Sequence, residues 1–214
     1  MRKIVKMPEP RAFTEHKLSE GALYENIPSR CKNELREQLV MEQRGLCCYC
    51  LNRIRPGDGR TVPPMKIAHW HSQTLHDDEQ LVYLNLLGAC MGNEKNLPSH
   101  CDTSQGDRDI RYNPADPAHH IETRIKYLSD GTVHSDETEF QAELENVLNL
   151  NAKFMIGRRR DVLEDFQESL GQRTLMDENW EELLSDWNGN AHSGELRPYC
   201  QIVVDYIRKK LHRL

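Results

Sequence analysis

Four cysteines restrict the fold of this chain more than any other feature of its sequence. Cys47 and Cys50 form a Cys-x-x-Cys pair, and Cys90 and Cys101 follow further along. Two thiolates at this spacing on a tight turn can both reach one Zn²⁺ at about 2.3 Å, so the first pair predicts half of a tetrahedral zinc site. We expect Cys90 and Cys101 to supply the other half. His100 can replace either of them as a ligand, and the alternative is a set of free buried thiols.

The remaining three cysteines do not fit this site. Cys48 lies too close to Cys50 to share its turn and is predicted to be a spare thiol. Cys31 and Cys200 stand in helical or flanking sequence, where a packed thiol is expected. The odd total of seven cysteines disfavours a disulfide framework. The sequence also has no apolar stretch typical of a signal peptide or membrane span, so we expect a cytoplasmic protein.

Three polar residues stand in order around the second cysteine pair. A short strand ending at His69 is followed by Asn85, just ahead of Cys90, and Asp102 comes directly after Cys101. If zinc holds both ends of this segment, these three side chains are brought into one small volume.

That combination suits hydrolysis of a phosphodiester. A neutral His69 can take a proton from water near neutral pH. The Asp102 carboxylate can hold Mg²⁺ or Mn²⁺ against the scissile phosphate, with His71 as a further candidate ligand. Asn85 can hydrogen-bond to the backbone or to an imidazole and fix the geometry of the base.

The chain divides into three predicted segments. Residues 1–39 form an N-terminal arm and helix, residues 40–114 a small module, and residues 115–214 a β-hairpin followed by helices. The module is rich in Gly, Pro and Asn and poor in apolar residues, so a metal is expected to organise it. The predicted fold class is α+β: a small zinc-bound module embedded in a largely helical chain.

Local patterns predict individual elements of these segments. An amphipathic helix is expected over residues 32–45, with an apolar stripe and a glycine at its C-terminal end: Leu35, Leu39, Val40 and Gly45. Residues 121–135 alternate and contain an Asp-Gly turn, which predicts a hairpin. Residues 143–170 predict a long helical stretch that breaks near Leu150–Asn151. Two further helices are expected, one capped by Asp177 and one with Pro198 in its first turn.

Charge is distributed unevenly along the chain. Residues 1–66 carry a balance of +5, and the rest carries −11, which together give the net charge of −6. The basic front is expected to face an acidic substrate, although two ordinary solvated surfaces would give the same balance.

Several motifs resemble one known family. The order Cys-x-Tyr-Cys, His, Asn-Leu, Cys, His-Cys-Asp is similar to the HNH endonucleases, whose zinc-bound site has a ββα-metal, treble-clef-like fold. The resemblance extends over most of the chain to the PtuB family, the HNH component of Septu anti-phage systems and of certain retrons. The motifs that carry it are MRKIVKMPEP, EQRGLCCYC, KIAHWHSQ, HCDTSQGD, and VLNLN followed by GRRR.

The resemblance implies specific roles. His69 would be the general base, Asp102 a ligand of the catalytic metal, and the four cysteines the zinc ligands. The implied partners are a PtuA-type ATPase and, in retron versions, a reverse transcriptase with its RNA–DNA hybrid. The implied substrate is nucleic acid, either DNA or a structured RNA such as tRNA.

Two positions depart from the family pattern. The residue before the base is normally Asp or Glu and binds the catalytic metal, but here it is Ala68. The alanine is either natural or an engineered substitution that inactivates the nuclease. Affinity for the catalytic metal should fall unless His71 or water takes the place of the missing ligand. Gln105 stands where a lysine is often found, which removes a positive charge that could have met a phosphate.

Competing interpretations remain open at this point. The chain is expected to be an endonuclease, but Ala68 also favours a zinc-organised binding or adaptor subunit with little cleavage activity. A redox or metal sensor is disfavoured, because four thiolates in a closed zinc site are unreactive. Arg158, Arg159 and Arg160 are candidate phosphate contacts, against the alternative of a solvated helix face.

Overall fold

Helices make up most of the regular structure, and the strands are short. The computed structural model describes residues 1–57, 64–171, 179–190 and 194–212. The α-helices are α1 (Arg11–Lys17), α2 (Ser29–Glu42), α3 (Cys101–Gln105), α4 (Ile121–Arg124), α5 (Thr138–Ala142), α6 (Lys153–Gly171), α7 (Trp180–Asn188) and α8 (Cys200–Leu211). The strands are β1 (Lys66–His69), β2 (Leu86–Ala89), β3 (Lys126–Tyr127) and β4 (Val133–His134). This mixture confirms the predicted combination of helices with small sheets.

A ribbon of two strands and one short helix lies at the centre of the predicted module. Strands β1 and β2 are antiparallel, with Lys66 opposite Ala89 and His69 opposite Leu86. The short helix α3 packs against β1. All four residues of β2 are buried, so this ribbon lies inside the molecule rather than on its surface.

The N-terminal segment is only partly an arm. Residues 1–10 have no regular structure, and the backbone N–H of Ile4 donates to Pro114 O at 2.9 Å. The prediction of an arm is wrong for residues 11–17, which form α1. Phe13 is the only buried residue of α1, and it packs in a small cluster with α2 and β2. A single apolar anchor leaves no periodic pattern from which a helix can be predicted.

The helix predicted over residues 32–45 is confirmed as α2, which begins three residues earlier. Leu35 and Leu39 are fully buried, and Val40 is partly buried. After the helix the chain reverses through Gly45, whose φ is +77° and whose N–H donates to Val40 O at 2.8 Å. The glycine therefore ends this helix as predicted, because a left-handed backbone is accessible to glycine without steric cost.

The predicted hairpin is confirmed in its second half. Residues 121–124 form the helical turn α4, and strands β3 and β4 pair only over two residues each. Asn151 extends this short ladder, because its side chain accepts from Val133 N and donates to Val133 O, both at 2.9 Å. Asn151 lies in the break between helical segments that the sequence predicted, where Asn149 adopts a positive φ of +51°.

The C-terminal helices follow the predicted order. Asp177, the predicted cap of α7, lies outside the described residues. Asn179 caps this helix through its side chain, which accepts from Glu182 N at 3.1 Å. The placement of Pro198 in the first turn of α8 is wrong. The helix begins at Cys200, after Tyr199 in a left-handed conformation, so Pro198 only leads into it.

The main core joins all three predicted segments. Its buried members include Ile4 from the N-terminal segment, Leu87 from the ribbon, Tyr127 from the hairpin and Val203 from α8. Within the parts of the chain that the structure describes, none of the helices combines the length and apolar character needed to cross a membrane.

The turn between β3 and β4 gives a test of the fold. Gly131 has a φ of +93°, and a Cβ there would lie 2.2 Å from the backbone oxygen of Ile156. We expect Gly131→Ala to lower the free energy of unfolding by about 1–3 kcal/mol. Gly157, in α6, has nothing within 4 Å of its added Cβ, so Gly157→Ala should stabilise the helix by about 0.5–1 kcal/mol. Chemical denaturation of both variants measures the difference, and equal effects would contradict this packing.

Candidate metal centre and active site

The four predicted zinc ligands meet in one buried cluster. Cys47, Cys50, Cys90 and Cys101 place their Sγ atoms within 4.8 Å of one another. The Cys47–Cys101 and Cys50–Cys90 sulfur separations are 3.9 and 3.7 Å. A tetrahedral zinc ion with bonds of about 2.3 Å requires sulfur atoms about 3.8 Å apart. The cluster therefore fits a structural metal ion such as zinc, and the four cysteines come together as the sequence predicted.

The surroundings of the cluster suit negatively charged sulfur. The backbone N–H of Asn52 points at Cys50 Sγ at 3.4 Å, and His100 Nε2 lies 3.6 Å from Cys90 Sγ. His100 is buried and adjoins the cluster without being one of its four members. Donors that approach a thiolate stabilise its charge and orient it toward a metal. When bound, the metal would supply a rigid tetrahedral junction between the two cysteine pairs.

The other cysteines have the packing roles expected of them. Cys31 lies in the small core under α1, and Cys200 is fully buried at the start of α8. Cys48 is also buried, and it lies outside the four-sulfur cluster found among the described residues. Burial raises the pKa of the Cys48 thiol well above its ordinary value, so this side chain stays protonated.

The candidate base is placed by the ribbon. His69 ends β1, is 9% exposed, and has its Nε2 3.0 Å from Gln80 O. A carbonyl oxygen can only accept, so Nε2 carries the proton and Nδ1 carries the free lone pair. Burial lowers the pKa of His69, which keeps the ring neutral and able to accept a proton.

Two side chains that the sequence did not single out touch the base. The amide nitrogen of Gln73 lies 2.8 Å from His69 Nδ1 and can donate to it. Tyr24 meets the imidazole edge-on, with ring centroids 4.4 Å apart, and burial raises the pKa of Tyr24 to about 12. Tyr24 comes from the loop between α1 and α2, a contact that no local pattern in the sequence encodes.

Asn85 fixes the loop that follows the base. Its Oδ1 accepts from His71 N at 2.7 Å, and its Nδ2 donates to His71 O at 3.1 Å and Glu79 O at 3.2 Å. Its own carbonyl accepts from Trp70 N at 3.0 Å. The side chain is 2% exposed, so it contacts backbone rather than solvent or substrate. Asn85 is therefore placed for the orienting role predicted for it, through the backbone and not through the imidazole.

Asp102 lies beside the first residue of β1, and its charge also acts on Tyr24. It pairs with Lys66, whose Nζ is 3.2 Å from Asp102 Oδ2 and 2.7 Å from Thr103 Oγ1. Burial raises the pKa of Asp102, and the ammonium of Lys66 opposes that shift. Side chains alternate along a strand, so Ala68 shares the face of Lys66, whereas His69 points the other way.

This face supplies few ligands for a hard cation. Asp102 contributes one carboxylate and Ala68, 1% exposed, contributes a methyl group. Asp102 belongs to neither group of three or more potential metal ligands found among the described residues. Mg²⁺ and Mn²⁺ require several oxygen ligands in a defined geometry, so the residues present do not by themselves complete a site.

His71 contacts Glu79 rather than Asp102. Its Nδ1 lies 2.8 Å from Glu79 Oε2, and its ring stacks between Trp70 and His76, at centroid distances of 3.7 and 4.4 Å. The structure does not bring His71 and Asp102 together as ligands of one ion in the described residues. The prediction of His71 as a substitute ligand beside Asp102 is thus not supported by this geometry.

The three consecutive arginines have three different environments. Arg158 makes a bidentate pair with Glu94 at 2.8 and 2.7 Å, and Arg160 lies 3.6 Å from Glu164. Arg159 is fully buried and donates to the carbonyl oxygens of Gly131 and Leu150. The prediction of a phosphate contact is therefore wrong for Arg159, which holds the hairpin against α6. Three consecutive residues of a helix point in different directions, and Arg159 is the one that points into the core.

Gln105, at the position where the family often has lysine, is also structural. It is 1% exposed, and its Nε2 donates to Trp70 O at 3.0 Å. Trp70 is itself partly buried against the main core. A lysine at position 105 would occupy this same buried position beside Trp70.

The fold and the site together define a largely helical protein with two small sheets and a buried four-cysteine metal centre. Compared with models of known protein families and with characterised proteins, the sequence matches none of them.

The metal centre gives a test with a matched control two residues away. We expect Cys50→Ala to reduce bound zinc well below one equivalent per chain and to lower the thermal unfolding temperature, because a three-thiolate remnant binds the ion less tightly. Cys48→Ala removes the same atoms from a buried thiol outside the cluster and should keep the zinc. Elemental analysis and thermal unfolding measure both effects. Equal zinc contents in the two variants would contradict the assignment of Cys50 as a zinc ligand.

Proposed function

We propose that this chain is the HNH-type endonuclease subunit of an anti-phage defence complex and hydrolyses phosphodiester bonds of nucleic acid. The observation that carries the proposal is the setting of His69. A buried imidazole at the end of a metal-anchored ribbon has its Nε2 proton held by Gln80 O, which leaves Nδ1 as the basic atom. The motif resemblance described above supports the same assignment.

The base would act directly on water. Near neutral pH His69 is neutral, because burial lowers its pKa, and Nδ1 can accept a proton from a water molecule that attacks phosphorus. The 3′-oxygen then leaves, and the phosphate stays on the 5′ end. Gln73 now occupies the Nδ1 side of the ring, so substrate binding has to move its amide aside. Gln73 follows His69 by only four residues, so this movement involves only the loop between them.

Cations on α2 are placed to receive the phosphate. The Nζ of Lys32 lies 5.2 Å from the centre of the Tyr24 ring, and Arg36 is close enough to lower the pKa of that tyrosine. Tyr24 in turn touches His69. Arg36 Nε is buried and has no hydrogen-bond partner among the described residues. Arg36 Nη1 donates to Asn33 Oδ1 at 2.9 Å, so Nη2 is the donor that a phosphate near Tyr24 would use.

The described residues offer few ligands for a catalytic metal. The resemblance implies Mg²⁺ or Mn²⁺ at Asp102, and a carboxylate at position 68 would point toward the same side of β1. With Ala68 the chain supplies a single anionic ligand there. Such an ion, when bound, would neutralise charge on the phosphate and on the departing oxygen.

A second candidate function follows from the same alanine. The chain would then be a nucleic-acid-binding or adaptor subunit with little cleavage, in which the metal centre keeps the fold and the base has no cation to work with. Ala68 is the observation that favours it. The two functions share the binding surface and differ only in whether the phosphodiester is broken.

Partners belong to the proposal as well. The resemblance implies a complex with a PtuA-type ATPase, and in retron versions with a reverse transcriptase and its RNA–DNA hybrid. The N-terminal segment carries four exposed apolar side chains suited to such contacts: Val5, Met7, Leu18 and Leu23. Exposed apolar groups clustered in one segment favour protein contacts.

Restoring a carboxylate tests the first function against the second. We expect Ala68→Glu to raise Mg²⁺- or Mn²⁺-dependent cleavage of DNA or structured RNA by about 100-fold or more over the unaltered chain, because a second oxygen ligand completes the cation's anchorage. Adding His69→Ala to Ala68→Glu should lower the rate by about 10²–10⁴-fold. The measurement is single-turnover cleavage, with zinc content as the control for folding.

Ala68→Gln is the matched control, because it adds nearly the same volume at this buried position without the charge. Cleavage that rises equally in Ala68→Gln and Ala68→Glu would argue against a metal ligand at this position. Nucleic-acid binding without cleavage by zinc-loaded Ala68→Glu would favour the adaptor function and reject the nuclease.

The proposed phosphate contact has its own test. We expect Arg36→Ala to weaken binding of a nucleic-acid duplex by about tenfold and to reduce the slope of log K against log salt by about 1. Arg30→Ala serves as the control, because Arg30 lies on the same helix, is 92% exposed at its side chain and, among the described residues, pairs with Glu34. Fluorescence anisotropy over a range of salt concentrations measures both variants. Equal losses would assign α2 a diffuse electrostatic role.

A further inference from the structure

We propose that the loop after the candidate base binds a second metal ion, a divalent transition metal of the Zn²⁺ type, through His71, His76 and Glu79. One ligand atom from each of these side chains lies within 4.8 Å of the others. Neighbouring ligands on a bound ion lie about 3–3.5 Å apart. The rings of His71 and His76 stack at a centroid distance of 4.4 Å, so ion binding requires them to turn until their in-plane lone pairs converge. The side chains of His71, His76 and Glu79 are 25, 31 and 35% exposed, so an ion can enter from solvent.

The backbone of this loop is already fixed. Asn85 holds the N–H and C=O of His71 and the carbonyl of Glu79. The N–H of His76 donates to Ser72 O at 2.9 Å, and that of Glu79 donates to His76 O at 3.1 Å. A loop whose ligand-bearing residues are held by hydrogen bonds loses little conformational entropy when an ion binds.

A carboxylate outside the triad sets the tautomer of one ligand. The Nε2 of His76 lies 2.8 Å from Asp109 Oδ2, so Nε2 carries the proton and Nδ1 is left with its lone pair. The other oxygen of Asp109 accepts from Ser72 N at 3.3 Å. An imidazole that donates one ring N–H to a carboxylate and offers the other nitrogen to a metal is the usual arrangement around protein-bound zinc.

The ligand set selects the type of ion. Two imidazole nitrogens with one carboxylate suit zinc and neighbouring transition metals, whereas Mg²⁺ prefers oxygen. The His71 Nδ1–Glu79 Oε2 contact of 2.8 Å holds a proton between the two groups. Binding of the ion releases that proton to solvent and places the metal between the nitrogen and the oxygen. This site differs from the four-cysteine centre in ligands and in exposure.

The site adjoins the candidate base without depending on the proposed nuclease activity. Gln80, which follows Glu79, carries the carbonyl that accepts from His69 Nε2. An ion held by His71 and Glu79 would therefore stiffen the same loop that fixes the His69 tautomer. Metal binding alone is sufficient to test the proposal.

The experiment is a calorimetric titration of the full chain with Zn²⁺, begun after elemental analysis shows that the four-cysteine centre is loaded. We expect one further equivalent to bind. His76→Ala and Glu79→Gln should each weaken that second equivalent by about tenfold or more while the first stays in place. His134→Ala is the matched control, because His134 pairs with Asp136 at 3.3 Å on the surface and belongs to neither group of potential ligands among the described residues.

Two results would overturn the proposal: a loaded chain that binds no further zinc, or a second equivalent held equally tightly by His76→Ala and His134→Ala. Circular dichroism and retention of the first zinc show that each variant is folded. Neither result bears on cleavage by Ala68→Glu, so the failure of this site and the failure of the nuclease assignment are distinguishable.

Discussion

The convergence of four buried sulfur atoms is the interaction on which the rest of this structure depends. Cys47 and Cys50 follow α2 directly, whereas Cys90 and Cys101 frame the connection from β2 to α3. The strands between them pair over only four residues each, and two such strands are marginal by themselves. A tetrahedral ion joining both pairs would tie the ribbon to α2 and α3 at once. Thiolates packed this closely without an ion would repel one another, so a bound metal also removes an electrostatic cost.

Asn85 then transmits that rigidity to the candidate chemistry. It stands immediately before β2, and its side-chain bonds all go to the loop between the strands. The same loop carries the carbonyl of Gln80 that fixes His69. One buried amide therefore organises both the base and the histidine–glutamate cluster. Loss of its hydrogen bonds would release several backbone groups together, so the effect would exceed that of one ordinary hydrogen bond.

The parts of the site that could be predicted are those in which a residue type and a spacing imply a geometry. The Cys-x-x-Cys pair, the glycine after α2 and the Asp-Gly turn each have such a local cause. The contact of Tyr24 with His69 depends on how the loop between α1 and α2 packs against β1. The contact of Gln73 depends on the conformation of the loop after His69, and no residue spacing encodes either of them. The inward turn of Arg159 was missed for a related reason. An arginine run is read as a surface, but one member here satisfies backbone carbonyls left by the hairpin and by the break before α6.

Side chains alternate between the two faces of β1. This alternation explains how the candidate base can be intact while the face that would bind a metal lacks a ligand. His69 points to the side of Tyr24 and Gln73, and position 68 points to the side of Lys66 and Asp102. A carboxylate at position 68 can therefore be absent while the base keeps its tautomer, its burial and its lowered pKa. Alanine, fully buried there, also leaves the ribbon's packing intact. A chain of this kind keeps the fold, the proposed phosphate contacts and the base, and it lacks one ligand. Under the proposed function, cleavage and nucleic-acid binding would therefore be separable at this one strand position.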